Sequence, residues 1–585
     1  ANGNFTKVWL FLWDGIQEIP ITDPNPTTGG VASGNGTIES FNVANWYNSN
    51  KVPDIKSKSC SIRVKDHPTT PVVTAESSTF YIYPTITNIL VTPSAGDEGN
   101  NPVIWRAGLT NQTVTWVEND INSPNLISAV DILYSSTGSA PWTALTGGTN
   151  VATHEASSAL TAPTALSFNT TVIRVRDHDT DFQDKIYADS AALRVLGRVV
   201  YGASPASGEN WFIGETNKNV TWTAYGDQIT SVDLFVDYGD GQGWRYLKTE
   251  STVPGSADTW TFDDPDVNVN GVGDHVSNNV RIKIQDVDTD RKTYTQYISP
   301  TFKVAGTFSN LAITAVDPED TKVIANRGST ITWAKTGSAI SNVILEYSLS
   351  AGQAGSWVVI DDGVDPVGRV PNTESFSWTP AANILSDTCR LRITDPDNSA
   401  ATTQSASNFT IASKTKVLKP DADSSWSANS QYTIQWQKWG SFENVNIYYS
   451  SNDGQNWASV DTNKPSHLQD DELNGSYSWT IPEATVLSAN ARIKVIDAAH
   501  ETYALPIISA KFTTKGALEV LWPNATDHTV YESGKTSEAI KWKRYGNIQG
   551  VKLFLSSDGA TYPQTPITGF ESISFVGQET EHQES

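Results

Sequence analysis

Two short acidic runs carry the clearest chemical pattern in the chain, Asp177-His-Asp179-Thr-Asp181 and Asp286-Val-Asp288-Thr-Asp290. Carboxylates at alternate positions of a loop are the donor set of a hard divalent cation, Ca²⁺ above all. A weaker copy reads Asp395-Pro-Asp397-Asn398, and Asp263, Asp264 and Asp266 form a lesser candidate. The 12-residue loop with a central Gly and a closing Glu is missing, so this is not an EF-hand. Two readings stay open: calcium at a domain end, stiffening a junction or bridging neighbours, or an Asp-rich turn that caps a hairpin and faces water. The whole chain is acidic, with 64 Asp and Glu against 40 Lys and Arg and a formal charge of −24. Such a chain lacks the basic surface that phosphate binding requires, which argues against nucleic acid and anionic lipid as partners.

The remaining chemistry is sparse. Eight histidines, His67 and His178 among them, are scattered, and no His-Glu-x-x-His, Gly-x-Ser-x-Gly or phosphate-cradling Gly-rich loop occurs. Paired acids work as catalysts only where a cleft splits their pKa values, and no cleft is legible here. No enzyme activity and no organic cofactor are expected. Asn-x-Ser/Thr sequons, candidate glycosylation sites, stand at Asn4, Asn35, Asn111, Asn169, Asn219, Asn408, Asn474 and Asn524. No run of 18 apolar residues exists, so no membrane-spanning segment is expected. The chain has no methionine, which leads us to expect a processed chain or a segment of something longer.

The elements that would position these groups are set by an internal repeat. A strand ends in Trp at Trp116, Trp222, Trp333, Trp436 and Trp542. Four residues after the last four of these comes Gly226, Gly337, Gly440 or Gly546. A second strand follows at Val130, Val232, Val343, Val445 and Val551, with a copy at Val8. Asp-Gly dipeptides at Asp14, Asp240, Asp453 and Asp558 suit tight hairpins, and Trp142, Trp244, Trp357, Trp457 or Tyr562 follows the second strand. An alternating strand then ends in Asp66, Asp177, Asp286, Asp395 or Asp497, its apolar places predicted inward and its Arg and Lys outward. The recurrent Trp residues are expected in cores. Trp9, Trp13 and Trp439 lie outside the common pattern, and an insertion, Val117 to Asn125, departs from it.

About seven short strands per hundred residues without helical periodicity predict an all-β chain, a string of tandem immunoglobulin-like β-sandwich domains. The expected divisions are a partial domain over 1–84, domains over 85–197, 198–306, 307–413 and 414–515, and a partial domain over 516–585. The incomplete ends predict a window cut from a longer repeat protein, or partial sandwiches that complete each other between molecules. Cys60 and Cys389 occupy the same inward place in two repeats, which predicts two free core thiols.

The set Trp-xxx-Gly, Val-x-Leu, Asp-Gly-xx-Trp, Tyr-Ser-Trp and Arg-Ile-x-x-Asp, best kept over 427–513, resembles the Ig-like and fibronectin type III-like repeats of microbial cell-surface proteins. These include surface-layer proteins and Ser/Thr-rich cell-wall-anchored modules. The resemblance implies an extracellular, non-enzymatic structural protein at the cell surface. Its first expected role is a self-assembling surface-layer component whose partners are copies of itself and cell-envelope glycans. The stalk of an adhesin or an extracellular filament, and accessory or carbohydrate-binding modules of a secreted enzyme, are the alternatives.

Overall fold

The computed structural model describes residues 6–32, 52–119, 126–152, 155–264, 271–361, 368–524, 526, 531, 539–574 and the backbone of 581–584. Every regular element among them is a strand, and no helix there is long and apolar enough to cross a membrane. The chain forms two compact units, Ala1–Val304 and Ala305–Ser585.

The first unit begins with a six-stranded sheet centred on Lys7–Trp13 and Ser57–Lys65. Next comes a sandwich whose three-stranded sheet (Ala156–Leu160, Gln112–Glu118, Ile86–Val91) shares a core with a six-stranded sheet around Val130–Ser135 and Ser167–Asp177. A second sandwich repeats the plan around Asn219–Tyr225, Ser231–Asp237 and Ser277–Asp286. The other unit carries the same plan around Ser329–Thr336 and around Gln431–Trp439, then a three-stranded sheet with Ala517–Trp522 and Ile540–Tyr545. We call these sandwiches after their strand Trp residue.

The opening segment of each repeat serves both sheets. In the Trp116 sandwich Ile86–Val91 pairs antiparallel with Gln112–Glu118, and Ile104–Arg106 then pairs in parallel with the last strand, Leu193–Leu196. The same parallel closure joins Val323–Ile324 to Phe409–Ala412 and Ser425–Ser427 to Phe512–Lys515. This switch stitches both sheets to one segment of chain.

Alternation sets the inside. Val280, Ile282 and Ile284 are fully buried while Arg281 and Lys283 point outward, and Ile282 sits opposite Val236 across the register. The strand residues Trp116, Trp222, Trp333, Trp436 and Trp542 are all core. A further buried Trp sits ten or eleven places ahead of three of them, at Trp105, Trp211 and Trp426, on the strand that switches sheets. The hairpin residues Trp142, Trp244, Trp357 and Trp457 correct the expectation that recurrent Trp means core. They lie half-buried on the outer face, against cations of the alternating strand. Arg174 stands 3.9 Å from the Trp142 ring centre, Arg392 4.4 Å from Trp357 and Lys494 5.0 Å from Trp457. A guanidinium or ammonium over an aromatic face is attracted by the ring quadrupole, so the outward cation row selects aromatics as partners. Cys60 and Cys389 are free and buried, and burial pushes the Cys389 thiol up to about 11.

Trp436 shows how tightly these cores are filled. Its Nε1 donates to the Ser466 carbonyl at 2.9 Å, and a Cβ at Gly475 would overlap its ring. Gly475→Ala is therefore expected to destabilise the Trp436 sandwich by about 1–3 kcal/mol in urea unfolding, although alanine suits a strand better than glycine.

Candidate functional site

The acidic loops and the places where sandwiches meet prove to be the same region. Asp177 ends the strand Ser167–Asp177 and is buried; its Oδ1 accepts the Asp179 N–H at 2.9 Å, and Asp179 Oδ1 accepts the Asp181 N–H at 3.0 Å. The second loop repeats this, Asp286 accepting from Asp288 at 3.0 Å and Asp288 from Asp290 at 2.9 Å. Alternate aspartates thus fold the loop on itself through successive side-chain-to-backbone turns, a local use that Asp serves readily.

The outer oxygens face protein cations. Lys56 Nζ lies 2.5 Å from Asp177 Oδ2 and 3.4 Å from Asp179 Oδ2, and Lys58 lies 2.6 Å from Asp181. In the second loop Arg291 takes both Asp286 Oδ2 (2.8 Å) and Asp288 Oδ2 (3.0 Å). The backbone N–H of Asp181, then the Lys56 charge, holds the Asp179 carboxyl below its ordinary value. Among the described residues no group of three or more His, Cys, Asp or Glu side chains is placed to hold a metal ion. Of the lesser candidates, Asp264 is buried against the Tyr238 hydroxyl and His275, and Asp266 lies outside the described residues.

The first Asp of the loop keeps the bond to the backbone two places on in the later repeats, and Asp497 adds partners of its own. Asp497 is buried, receiving His500 Nδ1 at 2.8 Å and the Ser413 hydroxyl at 2.7 Å. Asp395 accepts the Asp397 N–H at 2.9 Å, and burial pushes its carboxyl above the usual range.

Lys58 lies on the strand Ser57–Lys65 of the preceding sheet and Lys56 just ahead of it, so the first loop is a contact between repeats. The other junctions within each unit use an apolar clasp at the matching place, since Leu166, Leu385 and Leu487 each precede a Ser as Lys56 precedes Ser57. Each leucine lies against the glycine four residues after the next strand Trp. A Cβ at Gly226 would come within 2.7 Å of Leu166, one at Gly440 within 3.5 Å of Leu385 and one at Gly546 within 2.7 Å of Leu487. These glycines have φ of 132°, 94° and 82°, a region where a side chain is strained in any case. A backbone bond closes each clasp: Asp227 N–H to Thr164 O, Ser441 N–H to Ala382 O, Gly546 N–H to Glu483 O.

Single residues connect the sandwiches here. Leu193–Leu196 and Arg198–Tyr201 are separated by Gly197 alone, Phe409–Ala412 and Lys414–Lys419 by Ser413, and Phe512–Lys515 and Ala517–Trp522 by Gly516. A cation opens two of the following strands and lies over an aromatic three places after the strand Trp: Arg198 over Tyr225 at 4.1 Å, Lys414 over Trp439 at 5.1 Å. Trp439 therefore belongs to the common pattern after all, as the junction aromatic that matches Tyr225 and Tyr545. Lys414 is fully buried and pairs with the buried Asp320, whose other oxygen takes Arg327 Nε at 2.9 Å. Arg106 clamps Asp97 through two 2.7 Å bonds and donates onward to the Tyr294 carbonyl at 2.7 Å.

Of the sequons, Asn4 and Asn35 lie outside the described residues. Asn111, Asn169, Asn219 and Asn408 are exposed. The Asn474 amide nitrogen donates to Asp471 at 2.7 Å, and that of Asn524 to the Leu521 carbonyl at 3.5 Å.

No protein-family model matches the chain, and no curated protein matches it in sequence. Solved structures align at low scores. The ICAM-5 D1–D4 ectodomain fragment is 11% identical, covering 74% of this chain and 100% of its own, with a TM-score of 0.25. The fibronectin(III)-like modules of CbhA from Clostridium thermocellum are 17% identical over 35% of this chain and 90% of theirs, at 0.14. A marsupial T cell receptor is 7% identical over 52% and 99%, at 0.18. These scores bear on neither function nor partners.

The aspartates at the head of the loops predict opposite responses to one substitution. A carboxyl raised by burial, as in Asp395, favours the fold below its unfolded value and loses that contribution as pH rises through the folded one. Asp395→Asn, which keeps the acceptor, should therefore raise stability at pH 7 and lose the advantage near pH 3. Asp286→Asn breaks a buried pair with Arg291 and should cost about 1–3 kcal/mol at pH 7. Thermal unfolding of both variants at the two pH values checks this.

Proposed function

We propose that this chain is a structural protein of the cell exterior, a component of a self-assembling surface layer built from Ig-like repeats. The observation that carries the reading is the recurrent junction: one-residue connections, each closed by a Leu–Gly contact and a backbone hydrogen bond. Such connections leave a repeat little freedom to turn on its neighbour, which a lattice block needs and a flexible tether does not. An acidic surface with interspersed cations suits exposure to water and assembly through polar contacts. The partners on this reading are copies of the same chain and glycans of the cell envelope.

Calcium is the second part of the proposal. At millimolar concentration it would compete with Lys56 and Lys58 for Asp177, Asp179 and Asp181, and with Arg291 for Asp286, Asp288 and Asp290. The layer then answers to the ion through junctions that protein cations already fill.

Electron microscopy of the purified protein with and without millimolar calcium tests both parts. Ordered sheets that lose order on chelation are the expected result. Sheets indifferent to chelator would remove calcium from the account. Dispersed particles under both conditions would overturn the layer and favour an adhesin stalk or a filament.

A further inference from the structure

The Trp436 sandwich has an opening that the other described clefts do not resemble. Between the edge strands of its two sheets, Ala458–Pro465 and Asn474–Thr480, lies a slot of about 430 Å³. Its floor is the largely buried aromatic pair Tyr449 and Trp479, ring centres 5.5 Å apart, which continues into the core through Trp426. Its rim carries Trp457, and Asn456, Ser459 and Thr485 supply amide and hydroxyl groups around it. No residue lining the slot is charged; the nearest cation, Lys494, lies 5.0 Å from the ring centre of Trp457 on the outer face. In a chain of net charge −24 that is a selective property. The cleft at the Trp116–Trp222 junction is lined by Asp288, Asp290 and Arg291, and the hollow on the Trp333 sandwich by Glu346 and Arg392.

The slot is held open by its surroundings. The Tyr449 hydroxyl donates to the Val486 carbonyl at 2.9 Å and meets Thr514 Oγ1 at 3.0 Å, which pins the loop after Trp479 away from the hairpin. On the other side the Asp453-Gly454 turn, with Gly454 at φ 86°, carries Trp457, and a Cβ on that glycine would come within 3.3 Å of the ring. The aromatics stay where they are because the Tyr449 hydroxyl bonds hold one side and the Gly454 turn holds the other.

We propose that this slot binds one neutral sugar ring of a glycan chain. A pyranose presents an apolar face of C–H groups, which aromatic rings cover, and an equatorial rim of hydroxyls that both donate and accept. Asn, Ser and Thr do the same, so each hydroxyl removed from water finds a partner. An anionic sugar would enter an uncharged site in an acidic protein and lose its hydration without compensation. The volume suits a single ring, in the range of small-ligand sites, and the slot opens between two strand edges, so neighbouring sugars can continue outward. The proposal rests on the slot alone and does not depend on lattice formation.

The test is titration of the full chain with maltohexaose, cellohexaose, mannohexaose and chitohexaose, followed by calorimetry and tryptophan fluorescence. The expected result is binding of at least one neutral hexaose, weakened about tenfold or more by Trp457→Ala, a fold-change typical of a truncated aromatic anchor. Ala458→Trp, which fills the slot from an exposed position, should abolish binding while the circular dichroism spectrum is kept. Trp357→Ala, at the matching hairpin of the Trp333 sandwich, should leave the affinity unchanged. No binding of any neutral hexaose, binding that survives Ala458→Trp, or equal affinity for oligogalacturonate would each overturn the proposal.

Discussion

Everything about how these sandwiches are joined follows from the close approach of backbone to backbone at the connections. Gly197 is wedged against Ile229 and Thr295, a Cβ there coming within 2.5 Å and 2.8 Å of their side chains. Gly516 sits just as tightly against Ile548 and the Tyr545 carbonyl. At Ser413 the side chain that replaces glycine is accommodated because its hydroxyl reaches the buried Asp497 carboxylate. With one residue between strands there is no slack for independent motion, and the next contact along, leucine on glycine, inherits its position from that constraint. The cations that open the following strands then find aromatics within reach, and the acidic loops come to rest against the preceding repeat.

The first junction departs from this plan in a way that explains itself. Lys56 stands where later repeats carry leucine, and the place four after Trp116, where those repeats carry glycine, is Asp120 in the sequence. Apolar closure is replaced by Lys56 on Asp177 and Asp179, with Lys56 also 5.0 Å from the Phe182 ring centre. The inner pair is largely shielded from solvent, so salt screens it weakly, whereas Lys58 and Asp181 are half exposed and add little. This junction thus closes through charge where the later ones close through dispersion.

Much of this was legible in the sequence. The period-two strands, the Asp-Gly hairpins and the Trp positions predict an all-β tandem sandwich chain because side-chain alternation and turn chemistry are local properties. The inward cysteines were readable for the same reason. Less was legible where position depends on a neighbouring sheet. The hairpin Trp residues read as core because recurrence alone does not say which face they take; the cation row opposite them was the missing signal. Trp439 looked like an exception until Tyr225 and Tyr545 were seen at the same offset. The aspartate clusters are legible as an acidic loop pattern, but nothing in Asp-x-Asp spacing reveals Lys56 more than a hundred residues away. The sugar slot was invisible, because it is made by two sheet edges that meet only in three dimensions.

The central claim is that neighbouring sandwiches are held in one mutual arrangement by their junctions. Distance measurement between spin labels on the Trp116 and Trp222 sandwiches tests it most directly, with exposed Ser139 and Ser256 changed to Cys for labelling and the buried Cys60 and Cys389 left in place. The account predicts one narrow distance population that broadens in Gly226→Val, where the leucine clasp can no longer close. A broad distribution in the unaltered junction, unchanged by Gly226→Val, would contradict it.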